Sequence, residues 1–122
     1  MPERRLGARH PISFPIRVEW KDESGTDLAE EGLTENVGPT GTLIHLPRSL
    51  PNVGSKVSLT VTENPSNQVT IDAQVIRLER NVAHPQVALQ LVGSTEDWEK
   101  NVWQYAADII ASQKPEEFDD WN

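Results

Sequence analysis

The stretch Ile12-Ser13-Phe14-Pro15-Ile16-Arg17-Val18-Glu19-Trp20 decides the fold, because apolar residues occupy every second position without a break. Successive side chains of a β-strand point to opposite faces, so the five large apolar residues at even positions share one face. This spacing predicts a half-buried strand. Pro15 lies on the other face and has no backbone N–H, which favours a sheet edge for this part of the strand.

Further short segments with extended or alternating patterns follow and predict more strands at residues 33–37, 42–46, 57–61, 69–78 and 87–92. Polar, proline-rich or glycine-rich stretches separate them and predict loops or turns at residues 21–31, 47–54, 64–67 and 81–85. Ile76 and Leu78 break the parity of their strand, which predicts a β-bulge near residues 75–77. Repeated short strands of this kind indicate an antiparallel barrel or sandwich.

The hydrophobic period changes after residue 93 and becomes helical. Ser94 or Thr95 is suited to cap a helix, and Glu96 and Asp97 are favourable in its first turn. One apolar stripe follows at helical spacing, formed by Trp98, Val102, Tyr105, Ala106, Ile109 and Ile110. Pro115 predicts that the helix ends near residue 113, before an acidic tail.

Size and composition bound the function of the chain. Its 122 residues are sufficient for one domain with a modest core. A net charge of −8 argues against binding a nucleic-acid polymer or an anionic membrane surface. There is no cysteine, no apolar signal-peptide core and no apolar run near the roughly 20 residues of a membrane helix. We therefore expect a cytoplasmic protein without membrane insertion.

Three arginines nevertheless crowd the start of this acidic chain, at Arg4, Arg5 and Arg9. The guanidinium group is planar, keeps its charge and donates two parallel hydrogen bonds. It therefore suits a phosphate or the O6 and N7 atoms of guanine. This cluster predicts a site for a small, discrete anion.

A second element, Asn36-Val37-Gly38-Pro39-Thr40-Gly41, lies between two predicted strands. Arg5-x-x-x-Arg9 followed by Asn36-x-Gly38-x-x-Gly41 resembles the signature of the PilZ domain, a bacterial receptor for cyclic di-GMP. The family pattern is Arg-x-x-x-Arg and then Asp/Asn-x-Ser-x-x-Gly, so Gly38 stands where the family has serine. The predicted strands and helix also follow the family order, and the resemblance therefore extends over nearly the whole chain.

The resemblance implies a mainly β fold, a six-stranded antiparallel β-barrel with a C-terminal α-helix. It divides the chain into a flexible N-terminal arm at 1–11, a barrel at 12–93, a helix at 94–114 and an acidic tail at 115–122. It also implies cyclic di-GMP as the ligand, with no cofactor and no metal. The ligand-binding residues that it implies are Arg4, Arg5, Arg9, Asn36, Gly38 and Gly41.

The residue types suggest how such a site works. The Asn36 amide offers donors and an acceptor to a base edge, and Gly38 offers its backbone N–H. Gly41 allows close backbone approach or a positive φ. In the family, the position of Arg4 is associated with two stacked ligand molecules. We expect the arm to be mobile without ligand and to gain hydrogen-exchange protection at residues 4–10 on binding.

Two functions fit these observations. The first is a cyclic di-GMP receptor that relays the signal to an unidentified effector protein. The second is an interaction adaptor of the same fold with weak or no ligand binding. Gly38 favours this alternative, because it lacks the hydroxyl of the serine in the family pattern. Trp103 lies off the helical stripe and is the best candidate for a partner contact.

The sequence gives little support to catalysis or metal binding. There is no cysteine nucleophile, no phosphate loop and no arranged set of serine, histidine and aspartate, so we predict that the protein is not an enzyme. His10, His45 and His84 lack metal-ligand spacing and are interpreted as surface or loop histidines.

Overall fold

The computed structural model describes residues 8–119 and the side chains of residues 8–113. Six β-strands precede a C-terminal helix. The strands are β1 (Pro15–Lys21), β2 (Asp27–Val37), β3 (Gly41–His45), β4 (Lys56–Val61), β5 (Val69–Glu79) and β6 (Gln86–Leu91). The helix consists of α1 (Glu96–Trp98), a π-helical segment (Glu99–Trp103) and α2 (Gln104–Asp119).

The strands close into an antiparallel barrel in the order β1-β2-β3-β6-β5-β4, which confirms the predicted fold class. β1 pairs with β2 on one side and with β4 on the other. The expectation that Pro15 marks a sheet edge is therefore wrong. Pro15 is the first residue of β1, a position that proline tolerates, and its carbonyl accepts a hydrogen bond from the Thr62 N–H at 3.0 Å.

The barrel interior is filled by the alternating apolar residues of its strands. Ile16, Val18 and Trp20 are buried, and the residues between them on β1 are exposed. In β5 the register shifts between Val75 and Arg77, which confirms the predicted bulge. Trp98, Val102 and Ala106 bury one side of the C-terminal helix in the same core.

β2 is longer than the sequence indicates. The predicted loop at residues 21–31 is a short turn followed by the first part of β2, which begins at Asp27. Only Thr34 and Val37 of its eleven residues are fully buried, so β2 lacks the apolar alternation that reveals β1, β4 and β5. Backbone pairing along the whole of β1 forms this strand instead.

The helix also differs from the prediction, because it continues through Pro115 to Asp119. Pro115 has no N–H to donate to the carbonyl four residues earlier, so the helix passes it with one hydrogen bond fewer. Thr95 occupies the predicted N-cap position but makes no side-chain capping bond. Among the described residues, no helix is long and apolar enough to cross a lipid bilayer.

Thr34 fixes the path by which the chain enters β1. Its buried hydroxyl accepts a hydrogen bond from the Phe14 N–H at 2.8 Å and donates one to the Ile12 carbonyl at 2.6 Å. The Phe14 N–H and the Ile12 carbonyl both precede β1 in the sequence. The Thr34 hydroxyl therefore satisfies two backbone groups just outside this strand. This attachment positions the segment that carries Arg9.

Candidate functional site

The segment before β1 lies against the end of β2. The His10 N–H donates to the Val37 carbonyl at 2.8 Å, and the Val37 N–H donates to the His10 carbonyl at 2.9 Å. Arg9 is therefore held beside the turn that connects β2 and β3. The His10 amide is bonded within the protein, and the expected gain in hydrogen-exchange protection at residues 4–10 stays a prediction, of which residues 4–7 lie outside the described residues.

The side chain of Arg9 reaches the second sequence element directly. Its Nη1 donates to the Asn36 Oδ1 at 3.0 Å, across 27 residues of sequence. A Cβ atom built on Gly38 would lie 3.4 Å from the Arg9 Cγ, and one built on Gly41 would lie 3.9 Å from its Nη2. The structure thus brings four predicted site residues together. Arg4 and Arg5 lie outside the described residues, and their place at the site stays a prediction.

Asn36 owes its position to an irregularity in β2. The β2–β3 register shifts between Thr34 and Asn36, and pairing resumes with Asn36 opposite Leu43. The Thr42 hydroxyl donates to the Asn36 carbonyl at 2.6 Å and stabilises the strand after the shift. The Asn36 side chain is therefore held at the surface beside Arg9, where its amide can meet a base edge.

The turn between β2 and β3 is built around buried backbone groups of Gly38. Its N–H donates to the Gly41 carbonyl at 2.8 Å, and its carbonyl accepts the indole N–H of Trp98 at 2.7 Å. The expectation that the Gly38 N–H is available to a ligand is therefore wrong, because the turn already uses it. Gly38 is itself buried, and the Arg9 side chain packs over it, so Gly38 contributes to the site by shaping the turn on which Arg9 lies.

Gly41 is required by packing within the barrel. A Cβ atom at this position would lie 2.8 Å from the Leu89 carbonyl oxygen, closer than real Cβ contacts allow. Its φ is not positive, so the suggested positive-φ role is wrong. Any role of Gly41 in ligand binding stays a prediction.

Two tryptophans of the C-terminal helix hold the site in place. The Trp98 indole donates to the Gly38 carbonyl, whereas the Trp103 indole donates to the Ala8 carbonyl at 2.8 Å. The Trp103 ring also stacks on His10, with ring centroids 5.7 Å apart. Trp98 directly precedes the π-helical segment and Trp103 is its last residue, and both indoles donate to backbone carbonyls of this region.

Sequence reasoning missed this role of Trp103. The residue is half-buried against the arm, rather than presented as a free surface for a partner. Helical periodicity of 3.6 residues places it off the apolar stripe, and a π-helical segment leaves no obvious sequence signal.

A cavity of about 790 Å³ lies elsewhere on the barrel, along β1, β2, β4 and β5. Its lining includes Arg17, Lys21, Lys56 and Asp72, and none of the predicted site residues. The candidate site is instead an exposed surface defined by a guanidinium, an amide and a tight turn.

The fold and this surface together define a class, a small closed β-barrel domain whose N-terminal arginine segment and C-terminal helix meet at one turn. A family model for the PilZ domain matches residues 3–108. This match covers most of the chain, and the protein therefore belongs to the PilZ domain family. Domains of this family are receptors and adaptors rather than enzymes.

Solved structures show the same fold. The Bacillus subtilis inhibitor of motility MotI/DgrA matches with a TM-score of 0.67 and 16% identity, over 92% of this chain and 53% of that chain. Escherichia coli YcgR in complex with cyclic di-GMP matches with a TM-score of 0.65 and 17% identity, over 94% of this chain and 50% of that chain.

The PilZ domain of Escherichia coli YcgR with cyclic di-GMP matches over 97% of both chains, with a TM-score of 0.58 and 16% identity. This chain therefore spans about half of MotI/DgrA and of the longer YcgR chain, and corresponds to one domain of such proteins. A comparison with curated proteins finds no match.

Proposed function

We propose that the protein is a cyclic di-GMP receptor that binds the dinucleotide between its N-terminal arginines and the β2–β3 turn. The observation that carries this proposal is the 3.0 Å hydrogen bond from Arg9 to Asn36, which joins the two signature elements. Membership of the PilZ family supports the ligand class, as do the relatives solved with cyclic di-GMP.

The chemistry of the site matches the ligand. Cyclic di-GMP has two phosphates and two guanines, and each is a good acceptor for a guanidinium fork. Asn36 orients Arg9 through one N–H, which leaves the guanidinium further donors for a ligand. In this proposal Arg4 and Arg5 supply two further guanidinium groups, and Gly38 and Gly41 shape the tight turn beside which the ligand lies.

The relay to an effector protein is proposed to run through the C-terminal helix. Ala8 is bonded to Trp103, and Gly38 is bonded to Trp98, so both halves of the site are tied to this helix. A ligand that moves either half therefore acts on the helix position. The cytoplasmic location, the bacterial origin and the absence of catalysis stay predictions from the sequence.

Titration calorimetry of the full chain with cyclic di-GMP tests the proposal. We expect saturable binding at micromolar ligand or below, with the fitted stoichiometry deciding between one and two molecules. GMP and the linear dinucleotide serve as matched control ligands and should bind much more weakly, and recovery of intact ligand would exclude turnover. The absence of binding at high micromolar cyclic di-GMP would contradict the receptor function.

One observation favours the alternative of an adaptor with weak or no ligand binding. Gly38 lacks the serine hydroxyl of the family pattern, and its backbone N–H and carbonyl are both bonded within the protein. The site therefore has fewer groups to offer a ligand than the family pattern implies.

The Gly38→Ser variant separates the two functions. A Cβ atom at Gly38 would lie 3.4 Å from both the Arg9 Cγ and the Gly41 carbonyl oxygen, and the φ is not positive, so serine fits. For a working receptor, one added neutral hydrogen bond should tighten binding by about 2- to 12-fold. Gly38→Ala, which adds only the Cβ, is the control. Binding that appears only in the serine variant would indicate the adaptor.

A further inference from the structure

Three side chains with metal-binding atoms converge where β2, β3 and the β5–β6 turn meet. They are Glu35, His45 and His84, and one ligand atom of each lies within 4.8 Å of the others. His84 is 49 positions from Glu35 in the sequence, and the three residues lie on three separate elements. The fold alone brings them together, and the receptor function proposed above does not use them.

Each residue is placed by a local feature of the barrel. Glu35 lies at the register shift of β2, where the regular alternation of side chains is interrupted. His45 is the last residue of β3 and pairs with Gln86 at the start of β6. His84 lies in the turn before β6 and stacks on His45, with ring centroids 4.0 Å apart.

The hydrogen bond of His45 leaves its other ring nitrogen able to bind a metal. Its Nδ1 lies 2.8 Å from the Pro85 carbonyl oxygen, and a carbonyl can only accept. Nδ1 therefore carries the proton, and the lone pair is on Nε2. A histidine held by a backbone carbonyl through one nitrogen is typical of metal ligands, because the bond fixes the ring and its tautomer.

His84 and Glu35 share the position that a cation would take. The His84 Nε2 forms a hydrogen bond with the Glu35 Oε2, so one proton lies between a ring nitrogen and a carboxylate oxygen. A metal ion can replace this proton, which then leaves to solvent. The net charge of −8 favours the arrival of a cation.

We propose that Glu35, His45 and His84 form a binding site for a divalent transition-metal ion, with Zn²⁺ as the best match. Two imidazole nitrogens and one carboxylate oxygen are ligands that Zn²⁺ takes, whereas Mg²⁺ and Ca²⁺ prefer oxygen ligands. Three protein ligands leave the fourth tetrahedral position to water or another small donor.

Binding requires a small rearrangement of His84. Zinc–nitrogen bonds of about 2.1 Å place tetrahedral ligand atoms about 3.4 Å apart, so the cluster must contract. The two stacked rings are nearly parallel, at 11°, and one ring must turn before both can meet one ion. His84 lies in a surface turn with 48% of its side chain exposed, so its ring can turn at the cost of its stacking on His45.

Calorimetric titration of the untagged full chain with Zn²⁺, after treatment with EDTA, tests the site. We expect one Zn²⁺ per chain and no comparable binding of Mg²⁺. His84→Gln, His45→Gln and Glu35→Gln should each weaken Zn²⁺ binding by more than about 100-fold, because each removes a direct ligand. His10→Gln is the matched control, since His10 contacts Trp103 rather than this cluster.

Cobalt supplies a second measurement, because four-coordinate Co²⁺ has intense visible bands that the hydrated ion lacks. These bands should appear with the wild-type protein and disappear with His84→Gln. Because residue 84 lies in an exposed turn, this variant decides the test if the other two fail to fold. Absence of Zn²⁺ binding, unchanged affinity in His84→Gln, or six-coordinate Co²⁺ would overturn the proposal. None of these measurements uses cyclic di-GMP, so their failure would leave the receptor function untouched.

Discussion

Replacing Arg9 with alanine should lower the affinity for cyclic di-GMP by about 100-fold, which corresponds to about 2.7 kcal/mol. Hydrogen bonds to a charged group contribute about 1.5–3 kcal/mol each, and a guanidinium fork can make two of them. The variant also removes the donor that orients the Asn36 amide. Calorimetry with cyclic di-GMP measures the loss directly.

This loss should occur without unfolding. The Arg9 side chain is exposed, and the segment that carries it is held through backbone bonds of His10 and Ala8. The melting temperature of Arg9→Ala should therefore stay close to that of the wild type. Arg9→Lys keeps the charge but not the planar fork, so its affinity for cyclic di-GMP should lie between those of the wild type and Arg9→Ala.

Arg17→Ala is the matched control, because it removes the same charge from an exposed position on β1. Arg17 forms an ion pair with Glu19 at 3.1 Å and lies away from the β2–β3 turn. Its affinity for cyclic di-GMP should remain within about threefold of the wild type, since surface ion pairs contribute little. Equal losses in both variants would indicate general electrostatic attraction, and an unchanged Arg9→Ala would remove Arg9 from the site.

The sequence predicts the barrel well where burial controls the pattern. β1, β4 and the first part of β5 alternate because one face of each fills the barrel, and even the β5 bulge appears as a break in parity. The sequence underestimates the length of β2 because most of its side chains are polar. Its backbone pairing therefore leaves no alternating apolar pattern to recognise. Pro15 wrongly indicates a sheet edge for a related reason. The preference of proline for edge positions is local, and it does not tell whether the two ends of the sheet meet to close a barrel.

The candidate site was predicted only in part, and the missing part consists of long-range contacts. The signature residues Arg9, Asn36 and Gly41 have a recognisable spacing. The indole bonds from Trp98 to Gly38 and from Trp103 to Ala8 join residues 60 and 95 positions apart, with no spacing rule. Such contacts depend on how the helix docks, and the sequence alone does not state this.

The histidines show the same limit more clearly. His45 and His84 have no metal-ligand spacing, and the sequence indicates only surface or loop histidines. The antiparallel pairing of β3 with β6 places the end of β3 opposite the start of β6, next to the turn that carries His84. Strand pairing between distant segments therefore creates a cluster that a linear search for ligand spacing overlooks.

Replacing Trp98 should cause the largest loss of stability. Trp98 is fully buried in the core between the helix and the barrel. Trp98→Ala should lower the free energy of unfolding by about 3–5 kcal/mol, because truncation leaves a large cavity. Trp98→Phe keeps most of the apolar contact but leaves the buried Gly38 carbonyl without its donor, which should cost about 1–3 kcal/mol. Urea denaturation measures both.

Trp103→Phe is the matched control for the buried hydrogen bond. It makes the same chemical change five residues along the helix, where the indole bond to Ala8 is exposed. Water can replace that donor, so this variant should lose less than about 1 kcal/mol. Comparable losses in Trp103→Phe and Trp98→Phe would show that smaller ring size, rather than the unsatisfied Gly38 carbonyl, determines the effect. A clearly larger loss in Trp98→Phe is the expected result, and it combines the unsatisfied Gly38 carbonyl with the greater burial of Trp98.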